Sequence, residues 1–447
     1  MLYKANLVIY INIANICIYT QDWGVLMKEI TVFLVNYTEQ STIQKTLHSL
    51  NIISSKIHSV IVLHEDKSHL YIQHQLFNVE FHKFKTGELS KAVDDLISKI
   101  QSEYVLILQN AEYLSPMAIT EEFELKASEM VLAHTYHQKQ TSVHYPLLIR
   151  TEFMKENPFP PEQQLPFSEA IFPAWLSTVD DSRIKIKEKL VMRGREQLNR
   201  NWLEKQRFME KYQTNKTQTT HPSLAIFIAN YNMEKYVENA INSCLLQNQK
   251  PDRIYIIDDG SSDKSLNKIN KWKSISTIEI FHKQNEGKAR ALNYLLPHVH
   301  TNFILELDAD DWLDPDAVSV IKKQIADLQD NTAVLYGNLR RWKQTNNSIL
   351  FKKVSMGRSV KNRQDLLSYH FPLGPRIYRT SSLKKIGGFP IITYQDGRLY
   401  EDVSVLNELI KSYKFQYKNF TVYNIREHKE STTRKNLEHW DGFLKYL

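Results

Sequence analysis

Two stretches of the chain repeat one order of apolar and polar positions. Residues 30–50 (ITVFLVNYTEQSTIQKTLHSL) and 224–244 (LAIFIANYNMEKYVENAINSC) each set an apolar run before an Asn-Tyr pair, then continue with apolar residues at helical spacing. With Tyr37 laid on Tyr231, VIVLHEDKS from Val60 falls on IYIIDDGSS from Ile254 without a gap. Further along, EYVLILQNAEYLSPMA matches NFILELDADDWLDPDA, and Arg150, Phe159 and Pro160 find counterparts in Arg379, Phe389 and Pro390. Short apolar runs alternating with helical patterns predict βαβ units and a mainly parallel sheet. The expected fold class is α/β, with two such units at 28–180 and 222–447; His221-Pro222 marks the entry to the second.

The charge pattern adds a connector. Arg183 to Lys216 holds eleven Lys/Arg against four Glu, so the formal net charge of +7 is concentrated there. Leu198, Trp202, Met209 and Tyr212 recur at helical spacing, and segment 181–221 reads as a basic helical linker with one apolar stripe. Its charge is that of a solvated helix face, with contact to an acidic membrane surface or a polyanionic acceptor as the sharper alternative.

A hydrophobic share of 42% and a charged share of 24% argue against disorder and against an integral membrane protein. Cys17 and Cys244 are too few for a disulfide framework or a metal cluster and suit a reducing compartment. The expected location is cytoplasmic, with peripheral membrane contact through the basic linker as a variant. Leu7 to Tyr19 is mostly apolar but shorter than a bilayer span. Residues 1–26 therefore read as a leader or as a misassigned start, with Met27 just ahead of a first strand at Glu29.

Three acidic clusters stand where strands end or helices begin. Asp258-Asp259-Gly260-Ser261-Ser262 follows an apolar run; carboxylates there can accept from a base N–H or from ribose hydroxyls, or simply cap a surface turn. Asp308-Ala309-Asp310-Asp311 follows NFILEL, and two carboxylates one residue apart can approach one hard cation bridging to a diphosphate. Its blander reading is an acidic loop in which Asp314 caps the next helix and Pro315 lies in the first turn; that cap is expected in any case and leaves three Asp unexplained. Glu401-Asp402 opens a helical pattern and can supply a proton acceptor, although acidic residues also favour first turns for dipole reasons.

In order and context, FIANYNMEKYVENAINSCLLQ, IDDGSSD, NEGKARALN, LELDADDWL, IGGFP, YEDVSV and REHKES resemble glycosyltransferase family 2, of the GT-A fold, across residues 222–447. The resemblance implies that Tyr231 stacks near the base, that Asp258 or Asp259 holds base and ribose, and that Arg290 lies close to the nucleotide. It implies Asp308 and Asp310 as metal and ribose ligands for Mn2+ or Mg2+, His428 as an approach to the metal or diphosphate, and Asp402 as catalytic base beside Glu401. Gly374 to Tyr378 and Gly387-Gly388-Phe389 would form the acceptor-side wall. For Arg290 a surface helix position, for His428 a structural role and for the glycines close packing are the plainer readings. Processive members carry Gln-x-x-Arg-Trp after the base together with membrane helices, whereas Arg340-Arg341-Trp342 lies before it.

The implied activity is inverting, hexosyltransferase-type transfer of one sugar from a nucleotide-diphosphate sugar, UDP-sugar by default. The acceptor hydroxyl belongs to a glycan, lipid-linked or protein acceptor in surface-glycan or cell-wall synthesis, with no nucleic acid as partner. The rival readings are a non-catalytic nucleotide-sugar or glycan-binding scaffold and, behind it, a nucleotidyltransferase. In the first unit His64 and Glu65 stand where the second has Asp258 and Asp259, Gln109 and Ala111 where it has Asp308 and Asp310, and Glu169-Ala170 where it has Glu401-Asp402. Shifting the alignment by one residue restores Glu65-Asp66 or Glu112 but no complete set. Residues 28–180 are expected to be a degenerate GT-A-like domain used for packing, acceptor binding or homodimerisation.

Overall fold

The computed structural model describes residues 29–65, 77–118, 120–194, 199–214, 220–346, 348–368, 373–429 and 439–447. The expectations for residues 1–26, Cys17, Asp66, Leu198 and the end of REHKES lie outside the described residues.

The first half contributes strands β1 (Ile30–Val35), β2 (Ile57–Glu65), β3 (Asn78–Phe84), β4 (Tyr104–Gln109), β5 (Glu112–Leu114), β6 (Val131–Gln138), β7 (Thr141–Arg150), β8 (Ile184–Lys187) and β9 (Val191–Arg193). The second contributes β10 (Leu224–Asn230), β11 (Arg253–Asp259), β12 (Ile278–Lys283), β13 (Phe303–Asp308), β14 (Trp312–Leu313), β15 (Thr332–Gln344), β16 (Ile349–Ser355), β17 (Ile377–Arg379) and β18 (Lys414–Glu427). One sheet has the order β3-β2-β1-β4-β7-β6-β8, with β5 paired to β9; the other has β12-β11-β10-β13-β17-β15-β18-β14, with β16 on β15. Strand for strand, the two orders coincide from β3 and β12 to β8 and β18. In each, the four strands at one end are parallel and the next joins antiparallel. The central strands β1 and β10 are mostly apolar on both faces and buried apart from half-buried Ala229, as expected where helices cover both sides of a sheet.

Register brings the first two acidic clusters together. On β10, Asn230 pairs with Asp258 of β11 and Ala229 with Asp308 of β13, so both Asp lie at the carboxyl edge where loops of such sheets gather ligands. In the first sheet Val35 pairs with Leu63 and with Gln109, which leaves an amide at the position that Asp308 holds in the other.

The linker differs from its expectation. Residues 184–187 and 191–193 are strands, β8 joining the first sheet and β9 pairing with β5; among the described residues of the segment only Arg200–Glu210 is an α-helix. The charge is only in part solvated: Arg183, Lys189, Arg200 and Arg207 are exposed, but Lys205 is buried against Glu169 at 2.7 Å and Arg193 pairs with buried Glu112 at 2.6 Å. Alternating Ile184 and Ile186 suit a strand, and net charge carries no information about which partners fold onto it. The helix packs into a core shared by both halves, in which Phe167, Phe208 and Met209 meet Trp312, Trp342 and Ile349.

Candidate functional site

The turn after β11 is held by its own carboxylates. Asp258 is fully buried and receives Asn230 Nδ2 (2.7 Å), the Ser261 N–H (3.0 Å) and Ser261 Oγ (2.6 Å), with His282 Nδ1 at 3.0 Å. Asp259 receives the N–H groups of Glu286 (3.1 Å) and Gly287 (2.8 Å) and the Lys283 ammonium (3.2 Å). Gly260 has φ +70°, and a Cβ there would stand 2.5 Å from the Asn285 backbone nitrogen, so two loops cross at van der Waals limit. Both oxygens of Asp258 are thus enclosed and take protein donors. What this edge presents outward is Tyr231, 48% exposed, and the half-exposed His282.

Beyond β13, each carboxylate has a different environment. Asp308 Oδ1 lies 2.5 Å from Lys288 Nζ; its Oδ2 is 3.6 Å from Arg376, and its N–H donates to the Tyr423 hydroxyl at 3.0 Å. Asp310 Oδ2 is 2.9 Å from His428 Nε2, and its carbonyl accepts from Arg426 Nε. Asp311 is buried and accepts the Arg426 N–H; burial, then the neighbouring charges of Asp310 and Asp308, raises its pKa well above the usual carboxylate value. Among the described residues no group of three or more His, Cys, Asp and Glu is gathered as a metal cage. The donors brought together are Asp310 and His428, with Asp308 turned to its cationic neighbours.

Asp314 does not cap the following helix, which starts at Ala317 after Asp316. It is fully buried, with Oδ1 accepting from Arg340 (2.6 Å) and Asn424 (2.7 Å) and Oδ2 from Lys211 (2.6 Å). Burial opposes its ionisation, but Arg340 and Lys211 more than offset this and hold its pKa below the ordinary range. Local sequence favours the cap; two cations distant in the chain decide otherwise.

The third cluster sits in the first turn of the helix Glu401–Leu409, entered through Tyr400 at φ 59°. Glu401 lies 3.2 Å from Lys288 Nζ, and Asp402 Oδ2 lies 3.6 Å from Arg376 Nη1 while its Oδ1 accepts the Val403 N–H. Burial, only partly opposed by Lys288, raises the Glu401 pKa. At the centre is Glu306, buried, taking two hydrogen bonds from Arg376 (3.0 and 2.9 Å), one from the Tyr378 hydroxyl (3.1 Å) and an ion pair with Lys288 (2.7 Å). Burial alone would lower the Lys288 pKa; Asp308, Glu306 and Glu401 raise it well above normal instead.

Lys288, Glu306 and Tyr423 are therefore site residues that motif reading did not single out, and Arg376 had only a place within the expected acceptor-side wall. The available signal for Lys288 was its position in NEGKARALN, two residues before Arg290. Arg290 itself donates to the Glu286 carbonyl and to the carbonyl and carboxylate of Asp396, tying its helix to the loop that leads to Glu401. Gly374 packs against Leu339, while a Cβ on Gly388 would stand 2.3 Å from Asn293 Oδ1, so that glycine serves close packing.

Fold and site thus define an α/β protein with acidic side chains gathered at the carboxyl edge of a mainly parallel sheet. Residues 225–387 match the family described as Glycosyl transferase family 2. An uncharacterized glycosyltransferase from Haemophilus influenzae is 30% identical over 186 residues, covering 40% of this chain and 71% of that protein. The chain belongs to glycosyl transferase family 2. Chondroitin synthase from Pasteurella multocida is 26% identical over 220 residues, 48% of this chain and 22% of that protein. The chain spans about a fifth to a third of the length of the first curated relatives it matches. Among solved structures, S. aureus TarS 1-349 in complex with UDP is 18% identical with a TM-score of 0.36, over 46% of this chain and 60% of that one. No described helix is long and apolar enough to cross a membrane.

Proposed function

We infer that the second half transfers one sugar, with inversion, from a nucleotide-diphosphate sugar to an acceptor hydroxyl. The observation that carries this is the bridging of the second and third acidic clusters: Lys288 touches Asp308 and Glu401, and Arg376 reaches Asp308 and Asp402. In this reading Asp402 takes the acceptor proton as the new bond to the anomeric carbon forms and the bond to the diphosphate oxygen breaks. Lys288 and Arg376 hold Asp308, Glu401 and Asp402 in one geometry, which is the preorganisation such chemistry needs.

The residues fit a divalent cation. Glu306, Asp308, Glu401 and Asp402 outnumber the two cations among them, and Asp310 with His428 offers a carboxylate and an imidazole, leaving room for phosphate oxygens as Mn2+ or Mg2+ sites commonly do. Asp310 and His428 would hold it, Asp308 alongside, and the ion would neutralise the departing diphosphate. Tyr231 and Arg290 are assigned to the nucleotide side and Gly374 and Glu401 to the acceptor side. The first half, with Gln109 and Ala111 in place of carboxylates, is a degenerate copy of the same unit and takes no part in chemistry.

Calorimetry with UDP-, GDP- and dTDP-sugars, with and without Mn2+, tests the reading on the wild-type chain and Asp310→Ala. Metal-dependent binding that Asp310→Ala abolishes is expected. Binding of none of these nucleotides by the wild-type chain overturns it.

A further inference from the structure

The site of the second half is braced by a side chain of the connector. Lys211 donates to Asp314 Oδ2 at 2.6 Å and to Asp316 Oδ1 at 3.0 Å, although it precedes them by 103 and 105 residues. Asp314 lies on the segment that continues directly from the Asp308–Asp311 turn through β14. Its other oxygen accepts from Asn424, which also accepts from Trp342 Nε1 and sits opposite Trp312 in the β14–β18 pairing.

From Asn424 the same strand supplies hydrogen-bond partners that order the acidic turn. One residue back, the Tyr423 hydroxyl accepts the Asp308 N–H; two residues on, Arg426 donates its N–H to Asp311 and its Nε to the Asp310 carbonyl; beyond it His428 meets Asp310. Lys211 and Arg340 thus close a buried ion network whose remaining edge is the wall of the proposed site. A buried carboxylate deprived of one cation is costly and must shift or recruit water, so β14 and β18 cannot keep their register unperturbed without it.

We propose that Lys211, supplied from outside the family-matched segment, is a positioning residue for the Asp308–Asp311 turn, making the connector an integral part of the transfer site. This rests on the reading that the turn serves nucleotide-sugar transfer. Arg340 holds the opposite oxygen of Asp314, so the two cations occupy separate places and Arg340 does not stand in for Lys211.

The test is amide hydrogen exchange on the full chain, without metal or nucleotide, for wild type, Lys211→Met and Lys211→Arg. Lys211→Met should speed exchange at least about ten-fold in residues 305–316 and 420–428, leave 30–35 and 104–109 as in wild type, and be restored by Lys211→Arg. In transfer assays its half-saturating nucleotide-sugar concentration should rise about five-fold or more with a smaller change in kcat. Unchanged exchange in 305–316 overturns the proposal. If Lys211→Met loosens the whole chain, Asp316→Asn decides: it removes only the second partner of Lys211, and a local rise in 305–316 supports the proposal while none overturns it. Since exchange is read on the unliganded chain, intact transfer in Asp310→Ala would sink the functional reading alone.

Discussion

Arg376 holds Asp402 at 3.6 Å through Nη1 while its Nε and Nη2 grip buried Glu306. The guanidinium is thereby fixed by one carboxylate and oriented toward another, which separates the residue that anchors from the residue proposed to react. Asp402 is also near the surface of the helix start, with about a fifth of its side chain exposed, as a base receiving an incoming hydroxyl requires.

Replacing that base isosterically should cost chemistry and not fold. Asp402→Asn is expected to lower kcat by roughly 10² to 10⁴, the usual range for loss of a general base, with an unchanged melting temperature. A kcat within a few-fold of wild type would remove Asp402 from the mechanism.

The Asp310–His428 contact predicts a graded metal response. His428→Gln should raise the half-saturating Mn2+ concentration about ten-fold or more, as loss of an imidazole partner does at metal sites, and Asp310→Ala should leave no metal response at all. Titration of Mn2+ against nucleotide binding checks this; two identical curves for wild type and His428→Gln would count against His428.

Lys288 compensates three carboxylates, so its removal should be felt in stability as well as rate. Lys288→Met leaves Glu401 without its cation and Asp308 with only Arg376 at 3.6 Å, and on the order of 3 kcal/mol should be lost in denaturant unfolding. Lys288→Arg should recover most of it. Equal midpoints for wild type and Lys288→Met would show that Arg376 suffices.

A pH effect should arise in the first half, away from the site. His134 is fully enclosed, and burial, opposed in part by Glu112, lowers its pKa from 6.5 to about 4. Between those values the unfolded chain carries a proton that the folded chain refuses, so stability is complete above pH 6.5 and falls as pH drops toward 4, by about 3 kcal/mol at most. His134→Gln should flatten the fall in melting temperature between pH 7 and pH 5. The same slope in both proteins would mean that other groups set the acid response.

Much of this was legible before any coordinates. Apolar runs such as Ile30–Val35 and Leu224–Asn230 have room for only one reading when Asn-Tyr and a helical pattern follow, and both are buried central strands. The acidic clusters were visible because carboxylates in a row at the end of an apolar run break the apolar pattern around them. The shared strand order of the two sheets follows from the same spacing, and Gln109 stands beside Val35 at the carboxyl end of β4 as Asp308 stands beside Ala229 at the end of β13.

What the chain alone determined, then, is where strands and helices run and which ends carry acid, because those depend on neighbours a few residues away. Which carboxylate stays open and which is locked was decided only by packing: Asp258 by Asn230 and His282, Asp314 by Lys211 and Arg340, Asp308 by Lys288. An ion pair acts over a few ångströms of space, and residues a hundred positions apart become neighbours only once sheet register and the meeting of the two halves have set the distances.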